Sequence, residues 1–182
     1  MANAVYALVA IDWVHFGTRS PCDALDNKSY LTACWFYVPD NAQTIGMSPS
    51  DSVKVCGRAP NPQTYSSCAQ GVGTLSSPEG VSQCAKFTTD SAQVDCVIGW
   101  VTRLVGLTSR MTYSEAAQQC GGLGDAATNC ARIVGSFAKF APEKGDESLC
   151  GRLFERSDLR AACSKGQDKQ LAERELGQLV SS

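Results

Sequence analysis

Apolar residues recur along this chain at helical spacing, in short blocks divided by turn-forming clusters. Val94, Val97, Ile98, Val101, Leu104 and Val105 share one face of a 3.6-residue helix, and Ile133, Val134, Phe137 and Phe140 do the same. Helix-start signals recur too: Ser48-Pro49-Ser50-Asp51, Ser77-Pro78-Glu79 and Thr112-Tyr113-Ser114-Glu115. A Ser or Thr N-cap, an early Pro and an early carboxylate suit a helix N-terminus, whose first N–H groups lack helical acceptors and carry partial positive charge. Thr112 and Glu115 have capping-box spacing. Each signal opens a helix a of roughly two turns. A breaker follows: Asp26-Asn27-Lys28-Ser29, Ala59-Pro60-Asn61-Pro62, Thr88-Thr89-Asp90-Ser91, Gly121-Gly122-Leu123-Gly124-Asp125 or Glu155-Arg156-Ser157-Asp158. After each breaker a helix b begins and carries the apolar stripe.

Cysteines mark the same period. Cys22–Cys34, Cys56–Cys68 and Cys84–Cys96 each enclose eleven residues, Cys120–Cys130 nine and Cys150–Cys163 twelve. The first cysteine of each pair falls near the end of helix a and the second in the first or second turn of helix b. The two therefore face each other across an antiparallel hairpin, where Cα atoms approach closely enough for a disulfide. The inferred pairing is between sequence neighbours. Successive first cysteines are 34, 28, 36 and 30 residues apart, the size of one helical hairpin in an α-solenoid. The alternation of long and short steps suggests hairpins working in twos. Gly71, Gly99 and Gly166 stand three residues after Cys68, Cys96 and Cys163, and Gly135 stands five after Cys130. Small residues there let neighbouring helices approach.

The fold expected is all-α: tandem disulfide-stapled helical hairpins stacked as a short α-solenoid or array. Residues 18–166 hold five hairpins. Residues 1–17 read as an N-terminal orphan helix or half-repeat, with Leu8, Ile11, Trp13, Val14 and Phe16 leaving little polar face. Residues 167–182 read as the capping end of the last helix, where Leu171, Leu176, Leu179 and Val180 make a narrow stripe among charged residues. The run Trp35-Phe36-Tyr37 is followed by Val38-Pro39-Asp40, so helix b of the first hairpin is expected to end early and bend there.

With 16 basic and 18 acidic residues, the chain lacks the basic stripe of a nucleic-acid binder, and no nucleic-acid partner is expected. The apolar run Ala4–Ile11 is broken by Asp12 and too short to span a bilayer, so no transmembrane segment is expected. Ten cysteines in regular pairs suit an oxidising compartment, secreted or periplasmic. The first sixteen residues lack a basic n-region and a signal-peptidase site, which reads as a mature or excised segment with an added or retained Met1, an unusual export route being the alternative. The cysteine-paired hairpins resemble the twin C-x9-C class of mitochondrial intermembrane-space proteins, and that resemblance implies the intermembrane space as the alternative compartment. Only Cys120–Cys130 has the nine-residue spacing, and that class places two disulfides in one hairpin.

Candidate chemistry is sparse. Zinc sites favour cysteines two to four residues apart, as do thioredoxin-like centres, and the chain has no C-x-x-C. Its one histidine, His15, lies three residues after Asp12 on an apolar helix and reads as a packing or surface residue. Gly71-Val72-Gly73 lacks the strand and third glycine of a dinucleotide fingerprint. Asp146 and Glu147 suit a helix N-terminus. Asn27-Lys28-Ser29 is a glycosylation sequon in a predicted turn. No metal, cofactor or catalytic residue is assigned, and no enzymatic activity is expected. The function expected is a protein-binding or scaffolding module. Its candidate contacts are the aromatics between repeats: Trp35, Phe36, Tyr37, Tyr65 and Tyr113. The alternative is an accessory subunit or fragment of a larger assembly, a membrane-associated one included, docking through its apolar first helix.

Overall fold

A computed structural model describes residues 22, 25–44, 46–75, 77–107, 110–138 and 149–167. Among them every regular element is helical: α1 (Lys28–Thr44), α2 (Pro49–Cys56), α3 (Pro62–Leu75), a 3-10 segment (Pro78–Lys86), α4 (Asp90–Val101), α5 (Tyr113–Gly121), α6 (Ala127–Ala138), α7 (Leu149–Leu153) and α8 (Ser157–Gly166). A π-turn, Thr102–Leu107, extends α4, and a 3-10 turn, Gly124–Ala126, leads into α6. The expected orphan helix and C-terminal cap lie outside the described residues, as does Phe140.

Three of the five breakers become side-chain caps; those before α6 and α8 do not. Asn27 Oδ1 accepts from the N–H groups of Ser29 and Tyr30 at the start of α1, at 2.9 and 3.2 Å. Asn61 Oδ1 accepts from Thr64 N–H at 3.0 Å, with Pro62 opening α3. Thr89 caps α4 through Ala92 N–H at 3.3 Å. On the shorter helices, Ser48 accepts from Asp51 N–H at 3.2 Å. Thr112 and Glu115 form the full capping box, with Glu115 Oε2 accepting from Thr112 N–H at 2.7 Å.

Five disulfides join sequence neighbours: Cys22 to Cys34 in α1, and in the four later pairs, Cys56–Cys68, Cys84–Cys96, Cys120–Cys130 and Cys150–Cys163, a leading element to the helix after it, with Cα separations of 5.4–5.7 Å. The longer helices form one layer, each packed on the next in the order α1, α3, α4, α6, α8. The shorter elements form the second layer in the order α2, 3-10 segment, α5, α7. Between the layers lies one core, which takes in every cysteine except the half-buried Cys34 together with Trp35, Trp100, Ile133 and Val134. This is the stacked hairpin array, built so that each unit buries its apolar face on its neighbours.

A repeating backbone contact joins the long helices. A Cβ at Gly73 would stand 1.9 Å from the Cys96 carbonyl oxygen, and one at Gly99 2.1 Å from that of Gln70. The same reciprocal approach recurs between α6 and α8: a Cβ at Gly135 would collide with the Cys163 carbonyl oxygen, and one at Gly166 with that of Arg132. Only hydrogen on Cα permits such an approach. In both seams the earlier helix uses the position five after its cysteine and the later helix the position three after. At the α1/α3 seam those positions are Pro39 and Gly71, and a Cβ at Gly71 would collide with the Phe36 carbonyl oxygen. At the α4/α6 seam they are Val101 and Ile133, both fully buried. That seam is therefore filled by branched side chains instead of touching backbones.

Two expectations are corrected. α1 does not end at Val38-Pro39-Asp40; it runs through Pro39 to Thr44. An interior proline costs a helix about 3 kcal/mol, but Pro39 is among the most deeply buried side chains, with its Cδ 3.3 Å from the Cβ position of Gly71. Packing at the seam offsets the lost hydrogen bond. The element carrying Cys84 is a 3-10 helix, not an α-helix. Ser77 provides no side-chain cap, and Gly80 follows close behind Pro78 in the first turn, where glycine weakens an α-helix by about 1 kcal/mol. Trp100 Nε1–H donates to the Ser77 carbonyl at 3.2 Å and anchors the segment start to α4.

Candidate functional site

The structure separates the five candidate aromatics. Trp35 is fully buried in the core and is no surface contact: its place directly after Cys34 points it between the layers. Tyr113 is half-buried, and its hydroxyl donates to the Phe137 carbonyl at 2.9 Å, which joins α5 to the end of α6. Burial pushes its phenol above the ordinary tyrosine value. Its role is structural. Phe36 is partly buried and meets the Tyr37 ring edge-on at 5.2 Å; Tyr37 is 58 % exposed. Tyr65 is partly buried, packs edge-on against Phe87 at 5.9 Å and lines a groove.

Tyr30, 68 % exposed, was not singled out from the sequence. It precedes Tyr37 by two helical turns and shares its face. The positions equivalent to Tyr30 in the later hairpins, four before the cysteine, are Thr64, Ala92, Ala126 and Leu159, all buried. The first long helix thus presents two tyrosines on a face that its successors bury.

The groove is an open trough of about 1410 Å³. It crosses the N-terminal halves of α1, α3, α4 and α6, the first three of which start at the caps Asn27, Asn61 and Thr89. Of its 21 lining residues, twelve carry a neutral hydroxyl or carboxamide, so hydrogen bonding dominates its chemistry. Two bases, Lys28 and Arg132, are balanced by two acids, Asp90 and Asp95. Val94 and Ile98 supply an apolar floor. Some hydroxyls are already committed: Thr32 donates to the Lys28 carbonyl at 2.8 Å, and Ser67 to the Thr32 carbonyl at 2.8 Å. Gln70 differs. It is 8 % exposed, lines the groove, and its carboxamide makes no hydrogen bond among the described residues.

Carboxylates with displaced acidities lie elsewhere. Hydrogen bonds from Lys54 and Ser48 lower the Asp51 carboxyl, those from Thr112 lower Glu115, and those from Arg156 lower Asp158. All three sit at helix starts: Glu115 is lowered by its capping box, whereas Asp51 and Asp158 are lowered chiefly by surface ion pairs with Lys54 and Arg156. All ten cysteines are in disulfides, so none serves as nucleophile or metal ligand. His15, Asp146 and Glu147 lie outside the described residues. Gly71 and Gly73 are helix contacts, not a phosphate loop. The Asn27 carboxamide of the sequon is engaged in capping α1.

Comparison with models of known families, with curated proteins and with solved structures finds no match for this chain. Among the described residues no helix is long and apolar enough to cross a membrane.

Proposed function

We propose that the protein is a non-enzymatic binding module, a stapled helical scaffold that holds a protein partner in an oxidising, extracytoplasmic compartment. The observation that carries this reading is the groove across four consecutive long helices. Repeat stacks commonly bind along the surface that successive units build together. Five disulfides support the compartment, since such bonds persist where thiols are not kept reduced. The groove offers neutral donors and acceptors in place of a nucleophile beside a base.

Site-specific photo-crosslinking tests it. A photoreactive residue replaces Ser66, inside the groove, and in a control Gly151, exposed on α7. Each protein is mixed with the soluble fraction of the source's oxidising compartment. The reading expects a discrete protein adduct from position 66, none from position 151, and loss of the adduct once the disulfides are reduced. Equal adducts from both positions, or substrate turnover with no adduct, would contradict it.

A further inference from the structure

We infer that the groove takes an extended, uncharged polypeptide segment, held chiefly by its main chain, with the Gln70 carboxamide as the central reader. This rests on the binding-module reading above and specifies its partner. Three observations lead here.

The first is length. Packed helices lie about 8–10 Å apart, so the three spacings from α1 to α6 span roughly 25–30 Å. An extended chain rises about 3.3 Å per residue, so about eight residues fill the trough. The second is charge. Lys28 and Arg132 face Asp90 and Asp95 in the same lining, so the groove offers no net field to select a charged ligand. The third is Gln70. A carboxamide has donors and an acceptor on one plane and pairs with the N–H and C=O of a peptide group. Its side chain is 8 % exposed, and the part that remains exposed opens on the trough, where the amide can pair with a ligand peptide group.

Gln63 and Asn129 place two further carboxamides along the same lining. They give main-chain partners on either side of Gln70. Val94 and Ile98 receive alternate side chains, since an extended chain points every second residue to one face. A sugar chain fits less well. Tyr65 is the one aromatic of the lining, and it packs against Phe87 rather than offering a clamp of open rings.

The test uses the full oxidised chain and a displayed library of random ten-residue linear peptides. The inference expects enriched peptides poor in charged residues, with affinities that change less than about twofold between low and high salt. Gln70→Leu keeps the volume and removes the amide; it should weaken these peptides by roughly tenfold, the scale of one hydrogen bond with its stranded partner. Ser66→Trp, which fills the trough from a half-buried helix position, should abolish binding and stands in if Gln70→Leu fails to fold. Charged, salt-sensitive peptides, or peptides indifferent to both variants, overturn the inference. So does an array on which only neutral oligosaccharides bind, or a library that yields nothing. Peptides lost instead in a Tyr30→Ala/Tyr37→Ala double variant would move the site to α1 and leave the binding-module reading standing. Failure of the crosslinking experiment removes that reading itself.

Discussion

Gly99→Ala places a methyl carbon 2.1 Å from the Gln70 carbonyl oxygen, where carbon and oxygen rest about 3.3–3.6 Å apart. The oxygen belongs to helix backbone and cannot rotate away. α3 and α4 must part by more than an ångström, and Gly73 then loses its seat against Cys96. Overpacking a tight site costs about 1–3 kcal/mol, and an unyielding backbone puts this site at the upper end. Alanine returns about 1 kcal/mol of helix propensity. The net loss is about 2 kcal/mol, which for a chain of this size lowers Tm by about 4–8 °C. Thermal melting followed by circular dichroism in non-reducing buffer measures it. Gly151→Ala is the control, because nothing stands within 4 Å of its Cβ position; it should be neutral or stabilise by up to about 1 kcal/mol. If Gly99→Ala melts with Gly151→Ala or above the parent, touching backbones do not hold the stack.

Replacing Cys84 and Cys96 together by serine should cost about 3 kcal/mol by the loop-closure argument, read as a shift in the denaturation midpoint. Tyr113→Phe removes the hydroxyl bond to the Phe137 carbonyl and strands that acceptor, so about 1 kcal/mol is expected to be lost. Ultraviolet titration of the parent should show one phenol ionising above the ordinary tyrosine value. Glu115 is held below its ordinary range by the Thr112 N–H and hydroxyl. Its contribution is complete above the ordinary glutamate value and disappears as pH falls through the lower native one. Glu115→Gln should therefore flatten that acid limb, and an unchanged limb would remove the capping box from the account.

Much of this architecture was readable in the residues. Cysteine spacing, breaker clusters and helical periodicity are local signals, and each marks the same hairpin. Asn61-Pro62 and Thr89 announce helix starts because capping is settled within three residues. What escaped was set by partners distant in the chain. Pro39 looked like a helix end because its compensation lies on α3, 32 residues away at Gly71. Trp35 and Tyr37 are alike in composition but fall on opposite sides of α1, one in the core and one in solvent. The 3-10 geometry around Cys84 follows from a poor cap and from the Trp100 anchor, and the latter is a tertiary contact.

The groove was legible only as a consequence of stacking. Its lining comes from four helices and the turns between them, and no short stretch contains it. Gln70 reads in sequence as one polar residue between a cysteine and two glycines. Gly71 draws α3 onto α1 and Gly73 draws it onto α4, and the two packed neighbours bury the Gln70 stem while its amide keeps to the groove. The seams also differ among themselves: backbone contact is reciprocal between α3 and α4 and between α6 and α8, one-sided between α1 and α3, and replaced by Val101 and Ile133 between α4 and α6.

The central claim, a stack of hairpins each stapled to itself, is tested most directly by peptide mapping of the unreduced protein by mass spectrometry. The account predicts five linked peptide pairs, Cys22–Cys34, Cys56–Cys68, Cys84–Cys96, Cys120–Cys130 and Cys150–Cys163, and no free thiol. Crossed pairs between hairpins, or thiols open to alkylation in the folded protein, would contradict it.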